Sequence, residues 1–256
     1  MQNLFDVSGK VVVITGGSRG IGAMMAEGFL RHGARVFITA RKQQELQQAI
    51  AELSAFGECT AIAADLSTAA GIQTVVSTVG SAMGRVDVLI NNAGASWGAP
   101  LESYPESGWD KVMNINLKAV FYLTQQLLPL LRAAASDEDP ARIINIASIN
   151  GISYPVMPNY AYSASKAGLI QLTRHLATDL APDRINVNGI APGIFATRMM
   201  AGVLHDMSDL DGRIPRGRTG QLEDAAGTAI YLSSRASAWM TGHTLVLDGG
   251  MVAAAG

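Results

Sequence analysis

The 256-residue chain is 48% hydrophobic and 16% charged, enough apolar material for one large globular domain and too much for disorder or low complexity. A net charge of −2 and a pI near 6.1 give no basic field, which excludes nucleic acid and anionic membrane surfaces as first partners and favours a small molecule. Cys59 is the only cysteine, so neither an intramolecular disulfide nor a cysteine metal cluster is available. The four histidines (His32, His175, His205, His243) have no ligand spacing, so no metal site is expected. The start MQNLFDVSGK lacks the basic and apolar parts of a signal peptide, and no run of 18 apolar residues occurs, so the expectation is a cytoplasmic protein with no membrane span.

In chain order, the first predicted strand, KVVVIT (10–15), runs into the glycine turn TGGSRGIG (15–22) and the helical AMMAEGFLRHG. Gly16 can make the tight turn, Gly20 lets backbone approach a pyrophosphate, and Gly22 lets the helix pack close to the strand, with free helix N–H groups facing the anion. An isolated glycine cluster is an ordinary loop; a strand before it and a helix after it make it a dinucleotide site. The second strand, ARVFIT (34–39), leads to Ala40 and Arg41, where an acid would read a ribose 2'-hydroxyl. Arg41, joined by Arg19 from the glycine turn, suits the 2'-phosphate of NADP(H) instead. The alternative is that Arg41 only starts a solvated helix.

Further strands are predicted at CTAIAA (59–64), VDVLIN (86–91), ARIINIA (141–147), RINVNGI (184–190) and TLVLDG (244–249), with segments of helical length between most of them. Strands apolar on both faces and alternating with helices predict one doubly wound α/β domain over 1–256, a Rossmann fold with a seven-stranded, mainly parallel sheet covered on both faces. Residues 194–220 break the alternation and read as an excursion over the carboxyl edge of the sheet, where open α/β folds bind ligands. Within YAYSASK (160–166), a helix puts Lys166 roughly 40° from Tyr162 and about 120° from Tyr160, so Tyr162 is its partner. A lone pair of this spacing equally describes a solvated helix face.

TGGSRGIG, NNAG (91–94), Ser148 in NIASI, YSASK (162–166) and PGIFAT (192–197), in this order, resemble the short-chain dehydrogenase/reductase family over essentially the whole chain. The sequence is most similar to its NADP-dependent β-ketoacyl reductases, the rhamnolipid-biosynthesis type among them. The resemblance implies a catalytic set of Asn116, Ser148, Tyr162 and Lys166. Tyr162 would protonate the substrate oxygen and Lys166 would hold the nicotinamide ribose. Ser148 would bind the substrate oxygen and Asn116 would keep a relay water, while Tyr160 would be packing. A lysine charge at about 4 Å could lower the phenol pKa by roughly 3 units. Implied cofactor contacts are Gly16, Ser18, Arg19, Gly20, Ile21 and Gly22, then Arg41, Asp65 and Leu66 for adenosine, and Asn92, Ala93 and Gly94 beside its ribose. Tyr162, Lys166, Pro192, Gly193, Ile194 and Thr197 would follow at the nicotinamide. NNAG would also serve as a plain turn.

The resemblance further implies a homo-oligomer, a tetramer, and a carbonyl substrate, with an acyl-CoA or acyl carrier protein thioester as candidate. Two features depart from that picture. Ser148 and Tyr162 lie one residue further apart than in many members, with Tyr154, Pro155 and Pro158 between them. The acidic run ASDEDPA (135–141) would repel an acidic carrier protein. Arg213, Arg216 and Arg218 would suit a substrate anion, although Arg218 matches a structural arginine of the family. Met199, Met200 and Met207 would make a flexible apolar wall or plain core filler. The same motifs fit an alcohol dehydrogenase or reductase for a sugar, polyol or cyclic alcohol. A non-catalytic NADP-sensing regulator is the rival of another class.

Overall fold

The computed structural model describes residues 3–153, 155, 157–197 and 214–255. Tyr154, Met199, Met200, Met207 and Arg213 lie outside the described residues, as does much of the 194–220 excursion.

Seven strands form one sheet: β1 (Val11–Thr15), β2 (Arg35–Ala40), β3 (Cys59–Ala63), β4 (Val88–Asn91), β5 (Ala141–Ile146), β6 (Ile185–Pro192) and β7 (Thr244–Leu247). Every pairing is parallel, in the order β3-β2-β1-β4-β5-β6-β7. The seven predicted runs each became a strand, shifted at their ends by a residue or two. Side-chain alternation divides each strand between two layers. Val12 and Ile14 point to α1 (Gly20–Arg31), α2 (Gln43–Leu53) and α7 (Leu222–Ser233). Val11 and Val13 point to α3 (Ala69–Met83), α5 (Ala119–Ala134) and α6 (Tyr160–Leu180). Two short helices, α4 (Glu106–Met113) and α8 (Met251–Ala254), complete the described α-helices, and α1 crosses α7 closely enough that a Cβ on Gly28 would lie 2.3 Å from that of Ala226.

The strand order reverses between β1 and β4, and the crevice at their carboxyl ends is where a doubly wound sheet receives a ligand. Hydrogen bonds fix that crevice. Thr15 Oγ1 accepts from the backbone of Asn92 and Ala93, each at 2.9 Å, and Asn92 Nδ2 donates to Thr15 O at 2.8 Å and Gly16 O at 3.2 Å. The side chain of Asn92 is thus a staple between the loops after β1 and β4.

Candidate active site

The glycine turn satisfies the steric tests of a phosphate cradle. Gly16 and Gly20 have φ of +65° and +56°, and a Cβ on Gly22 would lie 2.4 Å from Gly16 O. Arg19 precedes α1 without a side-chain cap, and the first turn holds no acid, so N–H groups and the positive helix end stay open to an anion. Ser18 is half-buried beside them, whereas Ile21 turns its side chain into the core, leaving only its backbone for a ligand.

Beyond β2, Arg41 is exposed and Arg19 is held by an acid. Glu45 pairs with Arg19 and with Lys42, both at 3.2 Å, which puts Lys42 beside the exposed Arg41 on the same rim. Sequence reasoning missed Lys42; the signal was its i,i+3 spacing to Glu45. Asp65 carries its carboxylate below the usual range, chiefly through the Ser67 hydroxyl, which donates at 2.7 Å. That carboxylate is occupied by its own turn. Leu66 is buried near Ala93.

The loop after β4 leads to Gly94, where a Cβ would lie 3.2 Å from Asn116 Oδ1 and 3.8 Å from Lys166 Nζ. At the other end of the site a Cβ on Gly20 would lie 3.3 Å from Thr197 Cγ2, so the glycine turn meets the segment after β6. Gly193 donates to Leu247 O at 2.9 Å, a Cβ there would lie 2.7 Å from that of Asp248, and Ile194 O accepts from Gly220. Pro192 ends β6, and this segment is therefore held on the sheet.

Four side chains converge beyond β5. Ser148 is buried, with its hydroxyl accepting from Asn150 N and bonded to the Tyr162 phenol. Burial raises Tyr162 above the usual phenol value, and the Ser148 bond alone opposes that rise. Lys166 is 4% exposed, donates to Ile146 O at 2.6 Å, and has its ammonium pushed down to about 8 by burial. Burial, not the lysine charge, sets the direction of the Tyr162 shift. Nζ sits 5.6 Å from the ring centroid, turned toward a backbone carbonyl. Asn116 lies in a π-helical turn, Asn114–Lys118, its side chain accepting from Ala95 N at 2.8 Å and donating to Ala95 O at 3.0 Å and Ser165 Oγ at 2.9 Å. Ser165 in turn donates to Tyr162 O at 2.8 Å, so both N–H groups of the Asn116 amide go to bracing the catalytic turn.

Tyr160 packs at the surface, 41% exposed and edge-on to Tyr104. The acidic run sits before β5, whereas Ser148 follows its far end, about six residues or roughly 20 Å away along the strand. Two of its three acids are paired, Asp139 with Lys10 at 2.5 Å and Arg142 at 3.3 Å, and Asp137 with Arg184, which reduces the charge the run turns toward an acidic carrier. Arg218 grips Asp224 through both nitrogens, at 2.6 and 3.0 Å, which gives it a structural role; Arg216 is exposed.

The family model described as short chain dehydrogenase matches residues 10–208. The chain is 50% identical to the rhamnolipids biosynthesis 3-oxoacyl-[acyl-carrier-protein] reductase of Pseudomonas aeruginosa, over 98% of this chain and 99% of that one. It is 36% identical to gluconate 5-dehydrogenase of Gluconobacter oxydans, over 97% of each chain. Among solved structures, the Pseudomonas aeruginosa RhlG/NADP active-site complex superposes with a TM-score of 0.93 at 50% identity, covering 98% of this chain and 99% of that one.

Proposed function

The chain belongs to the short-chain dehydrogenase/reductase family, and from that membership we propose that it is an NADPH-dependent reductase of 3-oxoacyl thioesters, giving the 3-hydroxyacyl product. The observation that carries the reading is the convergence of Ser148, Tyr162 and Lys166 on one buried point, beside a glycine turn stripped of side chains where a dinucleotide would pass. When bound, NADPH supplies the hydride for the substrate carbonyl carbon. Tyr162 gives its proton to the carbonyl oxygen, and its raised pKa keeps that proton in place at neutral pH. Ser148 shares the oxygen and offers a hydrogen bond to the phenolate left behind. Lys166 orients the ribose. Asn116 would keep a relay water beside Lys166.

NADPH consumption against a panel of 3-oxoacyl thioesters and keto sugars tests the assignment. Turnover separates an enzyme from a sensor, and substrate ranking separates the 3-oxoacyl reading from its rival. The rival, a sugar or polyol reductase, is supported by the likeness to gluconate 5-dehydrogenase.

Preference for NADPH follows from the cations at the β2 rim. Arg41→Ala is expected to weaken NADPH binding about tenfold or more while leaving NADH nearly unchanged, because a hydrogen bond to a charged group contributes roughly 1.5–3 kcal/mol. Fluorescence titration with both cofactors reads this out, and equal losses would remove Arg41 from 2'-phosphate recognition.

A homotetramer in the cytoplasm completes the proposal. No described helix is long and apolar enough to cross a membrane. Assembly through α5 and α6 is supported by an apolar hollow of about 400 Å³ between them, where Phe121 and Tyr122 are 39% and 42% exposed. Light scattering should return about four times the 26.8 kDa chain mass, and Phe121→Glu should lower it; a monomer for the wild type at micromolar concentration would contradict the assembly.

A further inference from the structure

The connection from Ser148 to Tyr162 closes on itself, since the hydroxyls at its two ends are hydrogen-bonded. It rests on the catalytic helix, where a Cβ on Gly151 would lie 2.7 Å from the backbone of Lys166 and Ala167. Its other side is stitched to the loop after β4. Ala99 N donates to Pro158 O at 3.1 Å, and Tyr104 meets Tyr160 at 76° with ring centroids 5.6 Å apart. The Tyr104 hydroxyl donates to Trp97 O at 3.1 Å, and the Trp97 ring lies over Gly108, where a Cβ would come within 2.8 Å of it. These contacts tie the described residues on either side of this connection, Gly151 and Pro158 to Tyr160, to their neighbours.

Of eleven large hydrophobic residues exposed among the described ones, four lie on the segments these contacts join: Leu101 (67%) after β4, and Ile152 (45%), Met157 (36%) and Tyr160 (41%) between Ser148 and Tyr162. Apolar area exposed on adjoining segments marks a binding surface. Nearby polar groups are turned onto the chain: Ser153 donates to Ile149 O, and Asn159 Oδ1 accepts from Ser163. A polyhydroxylated ligand would need those groups, whereas a hydrocarbon chain needs area.

We infer that Tyr160, held edge-on by Tyr104, is a specificity-determining residue, and that with Ile152 and Met157 it forms the surface on which the aliphatic tail of the acyl substrate lies. This rests on the proposed 3-oxoacyl reading and deepens it. Tyr160 touches the tail and not the reacting carbonyl, so its effect falls on KM and grows with chain length. Each buried methylene is worth about fourfold.

The test is kcat/KM with NADPH for CoA thioesters of 3-oxobutanoate, 3-oxohexanoate and 3-oxooctanoate. The wild type should gain roughly tenfold or more from the shortest to the longest, through KM. Tyr160→Ala and Tyr104→Ala should cut that gain below about threefold, while Tyr160→Phe, which keeps the ring, retains it. Ile152→Ser, on an exposed loop position, should give a partial loss and serves if an aromatic variant fails to bind NADPH. A full chain-length gain in Tyr160→Ala or, where that variant does not fold, in Ile152→Ser overturns the inference and leaves the function standing. Turnover of keto sugars with none of any thioester would instead overturn the function itself.

Discussion

Tyr162→Phe is expected to lower kcat by about 10²–10⁴ while leaving NADPH binding largely intact, since phenylalanine keeps the ring and loses only the proton. The phenol is the one acidic hydroxyl bonded to Ser148, and burial holds it protonated where a reductase needs an acid. Removing it also leaves Ser148 without its partner. Tyr160→Phe should do little to the chemical step, because Tyr160 lies away from Lys166 on the helix and packs on Tyr104. Stopped-flow turnover beside cofactor fluorescence separates the two effects. A Tyr162→Phe enzyme with more than about a tenth of wild-type kcat would remove Tyr162 as the donor.

Lys166→Met should damage affinity and rate together. A charge-assisted bond to the ribose is worth about 1.5–3 kcal/mol, so NADPH affinity should fall roughly tenfold to a hundredfold, with kcat falling as the ribose loses its hold. The pH dependence has a definite sign. Burial lowers the ammonium to about 8, so Lys166 is charged below that pH and neutral above it. NADPH affinity of the wild type should therefore decline as pH rises through about 8, and the Lys166→Met variant should lack that step. Titrations from neutral to mildly alkaline pH read it directly; a step of unchanged size in the variant would assign it to another group.

The sheet was legible because its strands include short β-branched runs apolar on both faces, such as VVVIT and VFIT, a pattern that leaves a parallel sheet little alternative. The glycine turn was legible for a similar reason, since Gly16, Gly20 and Gly22 sit where backbone conformation or close approach admits no side chain. Helical register likewise paired Lys166 with Tyr162. What stayed hidden depends on contacts between distant segments. Nothing around Lys166 announces that Ile146 O, twenty residues earlier, will take its ammonium, or that the Asn116 amide will be consumed by Ala95 and Ser165. Charge counting overstated ASDEDPA because Lys10 and Arg184, which pair with Asp139 and Asp137, come from segments distant in the chain. The ring that Tyr160 packs on stayed hidden for the same reason, as Tyr104 arrives from the loop after β4.

The central claim is hydride transfer from NADPH to the 3-carbon of an acyl thioester at the Tyr162 site. Reduction of 3-oxooctanoyl-CoA with NADPH deuterated on the transferring face, followed by mass analysis of the product, tests it most directly. One deuterium at the 3-carbon of 3-hydroxyoctanoyl-CoA for each NADP+ formed, lost with Tyr162→Phe, is the expected result. No deuterium in any 3-hydroxyacyl product from a protein that binds NADPH, or equal transfer by the Tyr162→Phe variant, would contradict it.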